Sequence, residues 1–152
     1  LALGRRAPVF LGDAAHGEFA ERHAGFCNAF TAHGITPRMV TVPAFTVSAG
    51  AAAMESLLAA GHPPDALLAV NDLLAIGALR ALLGHGLRVP EDVSVIGYDD
   101  TPLGATYVPR LSSIHQNFVE AGTLLARKVL ALIEGGKAGA ATLPCRLVVR
   151  DT

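Results

Sequence analysis

The stretch PDALLAVNDLLAIGALRALLGHGLRVPEDVSVIGYDD, residues 64–100, decides the fold. Ala66 to Val70 is a short apolar run bounded by Pro64-Asp65, and it reads as a strand. Asn71 suits a helix N-cap, and the helix from Asp72 to about Leu83 ends before Gly84 and Gly86. Val93 to Ile96 is a second apolar run, and it leads into Gly-Tyr and two adjacent carboxylates. Two short buried strands joined by a helix form a parallel unit.

The same alternation extends upstream. Pro8 to Leu11 reads as a strand ending at Gly12-Asp13, and Glu18 to His33 as a helix closed by Gly34. Arg38 to Val42 is a strand stopped by Pro43. A helix capped by Thr46 or Ser48 then runs to Ala60, before Gly61 and Pro63. The predicted fold class is therefore α/β, a doubly wound parallel sheet with helices on both faces. Downstream the pattern changes. YVPRLSSIHQN is extended and contains proline, and Asn117 with Glu120 resembles a capping box. The helix that follows places Phe118, Ala121, Leu125, Val129 and Leu132 on one face and ends at Glu134-Gly135-Gly136. GGKAGAAT is a linker, and Cys145 to Arg150 a last strand.

Bulk composition narrows the function. The chain has 152 residues, 51% hydrophobic and 16% charged, enough for a domain with its own core. A net charge of -1 without any basic run gives it no electrostatic footprint for nucleic acid. Cys27 and Cys145 form no CxxC pair, which fits two unlinked thiols in the cytoplasm. The six histidines, His16, His23, His33, His62, His85 and His115, show no metal-binding spacing, so neither a metal nor a cofactor is expected. No apolar run is long enough to suggest a membrane span. The opening LALGRRAPVFLG lacks an initiator Met and reads as the middle of a longer protein.

In an open parallel sheet, ligands sit at the carboxyl ends of the strands. Those ends deliver Gly12-Asp13, Ala44-Phe45, Asn71-Asp72 and Asp99-Asp100, and Arg22 lies about one turn into the first helix. Carboxylate, amide and guanidinium groups suit neighbouring hydroxyls, and a flat ring suits the apolar face of a sugar. Each residue has a plainer role as well. Asn71 caps its helix, Asp99 and Asp100 suit an Asx turn before Pro102, and Phe45 suits loop packing. Arg22 suits a solvated helix face, and His115 and Gln116 a linker. Neither a phosphate loop nor a GxSxG nucleophile occurs. A phospho-acceptor receiver would need a lysine after strand five, but the only lysines are Lys128 and Lys137.

The motifs ND.LAIGALRAL, G.RVPEDVSVIGYDD and P.L(S)SI.Q, with ERHAGFCNAF upstream, closely resemble the LacI/GalR family of bacterial transcription regulators. The resemblance covers nearly the whole chain. It implies the second half of a two-lobed effector-binding core of the periplasmic-binding-protein type I fold. Residues 1–114 would be mainly the C-terminal lobe, 115–135 a crossover and a helix packed in the other lobe, and 136–152 the return linker and last strand. A helix-turn-helix head that contacts operator DNA would lie outside this chain.

The family's effector contacts carry over to Arg22, Phe45, Asn71, Asp99 and Gln116, with Asp100 supporting the turn. Asn71-Asp72 is more like the sugar-responsive members than the purine-responsive one. The resemblance also implies a homodimer through the helix of Leu73 to Leu83, with Ile76 and Tyr107 at interface positions. It implies a regulator rather than an enzyme. The alternative with the same fold is the sugar-binding protein of a transporter. The Phe118–Glu134 helix is expected either to exchange between chains or to fold back over its own sheet, since its normal partner lies in the other lobe.

Overall fold

The computed structural model describes residues 4–13, 15 and 17–152; His16 and the first three residues lie outside them, and Glu18 is described only in its backbone. The strands are β1 (Pro8–Gly12), β2 (Arg38–Thr41), β3 (Ala66–Ala69), β4 (Ser94–Asp99), β5 (Ser112–Gln116) and β6 (Cys145–Val148). The helices are α1 (Gly17–Thr31), α2 (Val47–Ala59), α3 (Asp72–Gly84), α4 (Pro102–Thr106) and α5 (Phe118–Ile133). One six-stranded sheet has the order β2-β1-β3-β4-β5-β6. Strands β1 to β5 are parallel, and β6 pairs antiparallel with β5. The sequence order β-α-β-α-β-α-β therefore gives the expected doubly wound sheet.

Strand β1 is buried throughout, as a central strand covered on both faces should be. Its Phe10 packs against His23 and Phe26 of α1. Val95 and Gly97 of β4 are buried, and Gly97 faces Asp72 of α3, so alternation sends Ile96 and Tyr98 to the opposite face. Helices α2 and α3 cross at two glycines. A Cβ on Gly50 would overlap the backbone of Leu74, and one on Gly77 would overlap the Val47 carbonyl. The core is built mainly by Phe10, Leu11, Met54, Leu74, Leu79, Leu82 and Val95.

Three features differ from expectation. Strand β4 continues past Ile96 to Asp99, because Gly97, Tyr98 and Asp99 pair with Ser113, Ile114 and His115 of β5. The short helix α4 follows at once, with Thr101 accepting a hydrogen bond from Gly104 N and Pro102 at its first position. Of the two placements expected for helix α5, folding back over the sheet does not occur, and none of its residues is buried. The topology gives the reason. β5 ends at Gln116 opposite Cys145, the first residue of β6, so residues 117–144 leave and re-enter the sheet at one point on its rim.

Candidate functional site

The carboxyl ends of β3, β4 and β5 bring three of the five expected residues, Arg22, Asp99 and Gln116, into two neighbouring groups. Arg22 reaches across from α1. Its Nη1 donates to the Val70 carbonyl (2.9 Å), and its guanidinium lies 3.6 Å from the centroid of the Tyr98 ring and 5.2 Å from that of Phe19. At the next strand end, Gln116 Nε2 donates to Asp99 Oδ1 (3.0 Å). Because Tyr98 and Asp99 are consecutive in β4, the two groups share one rim.

Asn71 takes the capping role its sequence allowed and adds a contact to a neighbouring loop. Its side-chain oxygen accepts from Leu74 N (2.9 Å) as the α3 cap. Its amide nitrogen reaches the Phe45 carbonyl (3.5 Å), tying the β2–α2 loop to the end of β3. Phe45 packs edge-on to Phe19 (4.9 Å between centroids) and against the core, so its ring stands beside the cluster as part of its wall.

The backbone at Asp99-Asp100 is unusual. Asp99 has φ 104° and Asp100 φ 54°, and neither is glycine. Such conformations cost on the order of 1–3 kcal/mol each and persist only where surroundings hold them. The restraints are visible. Asp100 accepts from Arg150 Nη2 (2.5 Å) and pairs with His115 Nδ1 (2.9 Å), while its own N–H donates to Ser113 Oγ (3.0 Å). Burial pushes the Asp100 carboxyl up, but hydrogen bonds and charge from Arg150 and His115 outweigh it and hold the group below the ordinary carboxylate value. Asp100 therefore supports the turn, and Asp99 is set beside Gln116. Burial also pushes the Tyr98 phenol up, against the opposing influence of the Arg22 cation.

Tyr98, Ser113 and Arg150 carry no signal in the sequence that places them at the site, and His115 reads there as a linker residue. Tyr98 lies two residues beyond Ile96 on the same face, so a longer β4 would have revealed it. Arg150 is 50 residues from its partner and leaves no local signal. The groups present can donate to and accept from hydroxyls and can stack on a flat apolar face. Among the described residues, no group of three His, Cys, Asp or Glu is placed to hold a metal ion. No described helix is long and apolar enough to cross a membrane.

Of the expected dimer residues, Leu73 (38% exposed) and Leu83 (39%) lie on the outer face of α3, and Leu103 in α4 and Val108 after it are also exposed. Tyr107 is half-buried and packs on the core. Ile76 differs. It is 3% exposed inside the single chain, because the wide apolar circumference of α3 is consumed by α2 and the sheet. It backs the outer face rather than lying on it.

Residues 1–152 match the model of the periplasmic binding protein-like domain. The chain belongs to that family. Within it, the likeness is to the effector-binding region of LacI/GalR regulators. It is 36% identical over 135 residues to the HTH-type transcriptional regulator AscG of Escherichia coli, covering 87% of this chain and 40% of that protein. It is 42% identical over 103 residues to the HTH-type transcriptional repressor PurR of Haemophilus influenzae, covering 66% and 31%. The Lac repressor dimer bound to operator and the anti-inducer ONPF superposes with a TM-score of 0.91 at 34% identity, over 99% of this chain and 46% of that one. The chain thus spans well under half the length of the regulators it matches in sequence.

Proposed function

We propose that this chain senses a polyhydroxylated effector of the sugar class at the rim of its sheet. In the complete protein, occupancy of that site would control operator DNA binding by a helix-turn-helix head outside these residues, in the cytoplasm. The observation that carries this reading is the run of contacts along the carboxyl ends of the strands: Asn71 to the Phe45 carbonyl, Phe45 to Phe19, Arg22 to Phe19 and Tyr98, and Gln116 to Asp99. Such groups select by hydrogen-bond geometry and stacking rather than by net charge. They include no activated nucleophile, so binding suits them better than turnover. An effector switches the protein only if it binds one lobe arrangement better than the other.

The same reading assigns α5 to the other lobe. Its exposed Phe118, Leu125, Val129 and Leu132 need an apolar partner, and residues 117–144 leave the sheet at the crevice rim. It also assigns the outer face of α3, with Leu73 and Leu83, and the exposed Leu103 of α4 to a second copy. Thermal-shift titration of the full-length protein with neutral mono- and disaccharides tests the effector class. Some sugar should raise Tm, and Asp99→Asn should weaken its binding at least tenfold, about 1.4 kcal/mol. A nucleobase that raises Tm where no sugar does would overturn the sugar class.

A further inference from the structure

We infer that Asp72 is the positioning residue of the effector site, acting through Ser113 and Thr101 to hold the Asp99-Asp100 turn in its left-handed backbone. The inference rests on the effector reading of Asp99, but the relay is visible without any ligand. Asp72 is 1% exposed, and its carboxylate lies in the first turn of α3, where negative charge is favoured. One oxygen accepts from both Thr101 N (2.6 Å) and Thr101 Oγ1 (2.8 Å). The other accepts from Ser113 Oγ (2.6 Å). Ser113 Oγ in turn accepts from Asp100 N (3.0 Å), and Thr101 Oγ1 accepts from Gly104 N (3.2 Å) to cap α4. The backbone N–H groups of Asp100 and Thr101 therefore both end on Asp72, one through a single hydroxyl and one directly.

Two glycines make room for this carboxylate. A Cβ on Gly97 would overlap Asp72 Oδ1, and one on Gly104 would stand 3.1 Å from Oδ2. Space in β4 and α4 is thus reserved for a charge that touches neither Arg150 nor His115, the partners of Asp100. An uncapped buried carboxylate would be costly, whereas this one is satisfied by three donors. Positive φ at two successive non-glycine residues needs such over-determination. The hub also joins the effector rim to the first turns of α3 and α4, the helices whose outer residues Leu73, Leu83 and Leu103 face away from the core.

Ligand-free NMR on the full 152-residue chain separates this inference from the effector reading. HN–Hα couplings report φ at Asp99 and Asp100, and amide exchange reports the Asp100 N–H. Ser113→Ala removes one hydroxyl and leaves Asp72 with Thr101. It should speed Asp100 exchange at least tenfold while interior amides such as Leu79 stay within about twofold, and Ser113→Thr should restore protection. Asp72→Asn should move both couplings away from their positive-φ values. Unchanged Asp100 exchange in Ser113→Ala would overturn the inference even if Asp72→Asn fails to fold. Equal acceleration of all amides would also overturn it, since that is the signature of lost stability rather than lost positioning.

Discussion

Helices α3 and α5 are both rich in leucine and alanine, yet nine residues of α3 are buried and none of α5 is. Their composition does not explain the contrast; their place in the chain does. α3 connects two neighbouring parallel strands, so it must lie on the sheet, and Gly50 and Gly77 let α2 close over it. α5 connects strands whose facing residues, Gln116 and Cys145, are already paired, so nothing obliges it to cover the sheet. An apolar helix stripe shows that a partner exists, and topology shows whether that partner is in the same chain.

The largest expected effect comes from cutting into the enclosed helix. Leu79→Ala should destabilise the chain by about 2–5 kcal/mol in urea unfolding, because Leu79 has no exposed surface and the cavity cannot collapse freely. A cost under about 1 kcal/mol would mean that α3 is not enclosed as described. Gly77→Ala should cost about 2–3 kcal/mol, since the new Cβ meets backbone rather than a flexible side chain. The matching change in α5, Gly122→Ala, meets nothing within 4 Å and should instead raise helicity, by about 1 kcal/mol of local propensity. Circular dichroism that rises for Gly122→Ala and falls for Gly77→Ala would sharpen the contrast.

A smaller effect tests where the partner of α5 lies. Leu125, 64% exposed, should cost less than about 0.5 kcal/mol when changed to Ala in this chain. In the full-length protein the same change should cost about 2 kcal/mol or more, if the other lobe covers it. Equal small costs in both would place the α5 stripe in solvent and remove it from the lobe-crossover reading.

Much of this was legible in the sequence for physical reasons. Short apolar runs closed by Asn71, Gly34, Gly61 and Gly86 mark β3 and α1 to α3, because caps and left-handed stops are local chemistry. The rim positions of Asn71 and Asp99 follow from the strand ends, whereas Gln116 is named only by the family resemblance. What was not legible is non-local. Arg22 was placed near the rim, but its stack on Tyr98 depends on which face β4 turns outward. Asp72 reads as an ordinary first-turn acid until Thr101 and Ser113 are folded onto it from 29 and 41 residues away. Ile76 is given an interface position by the family resemblance, and local sequence carries no sign that it is 3% exposed within the single chain.

The smallest effects belong to two exposed ion pairs, and these still discriminate between the regions. Arg88 pairs with Asp92 just after α3, and Arg110 pairs with Asp151 in the tail beyond β6. Hydrogen bonds from the arginine side chain and backbone, with its charge, lower each aspartate from 3.8 to about 2. A carboxyl with a folded value below its unfolded one stabilises the fold above the unfolded value and loses that contribution as pH falls through the folded one. Stability should therefore hold down to about pH 4 and decline toward about pH 2, with Asp100 acting in the same direction. Asp151→Asn should flatten that decline while changing little at neutral pH, because exposed pairs contribute little there. Asp151 also accepts from Arg110 N, and Asp151 N donates to the Arg110 carbonyl, so the pair holds the tail beside β5. Amide exchange at acid pH should accordingly rise first at residues 149–152, next to the strand that returns from α5, while α3 stays protected. Exchange that rose in α3 at the same pH would mean that the two regions unfold as one unit, and that α5 is held by this chain more firmly than its exposure implies.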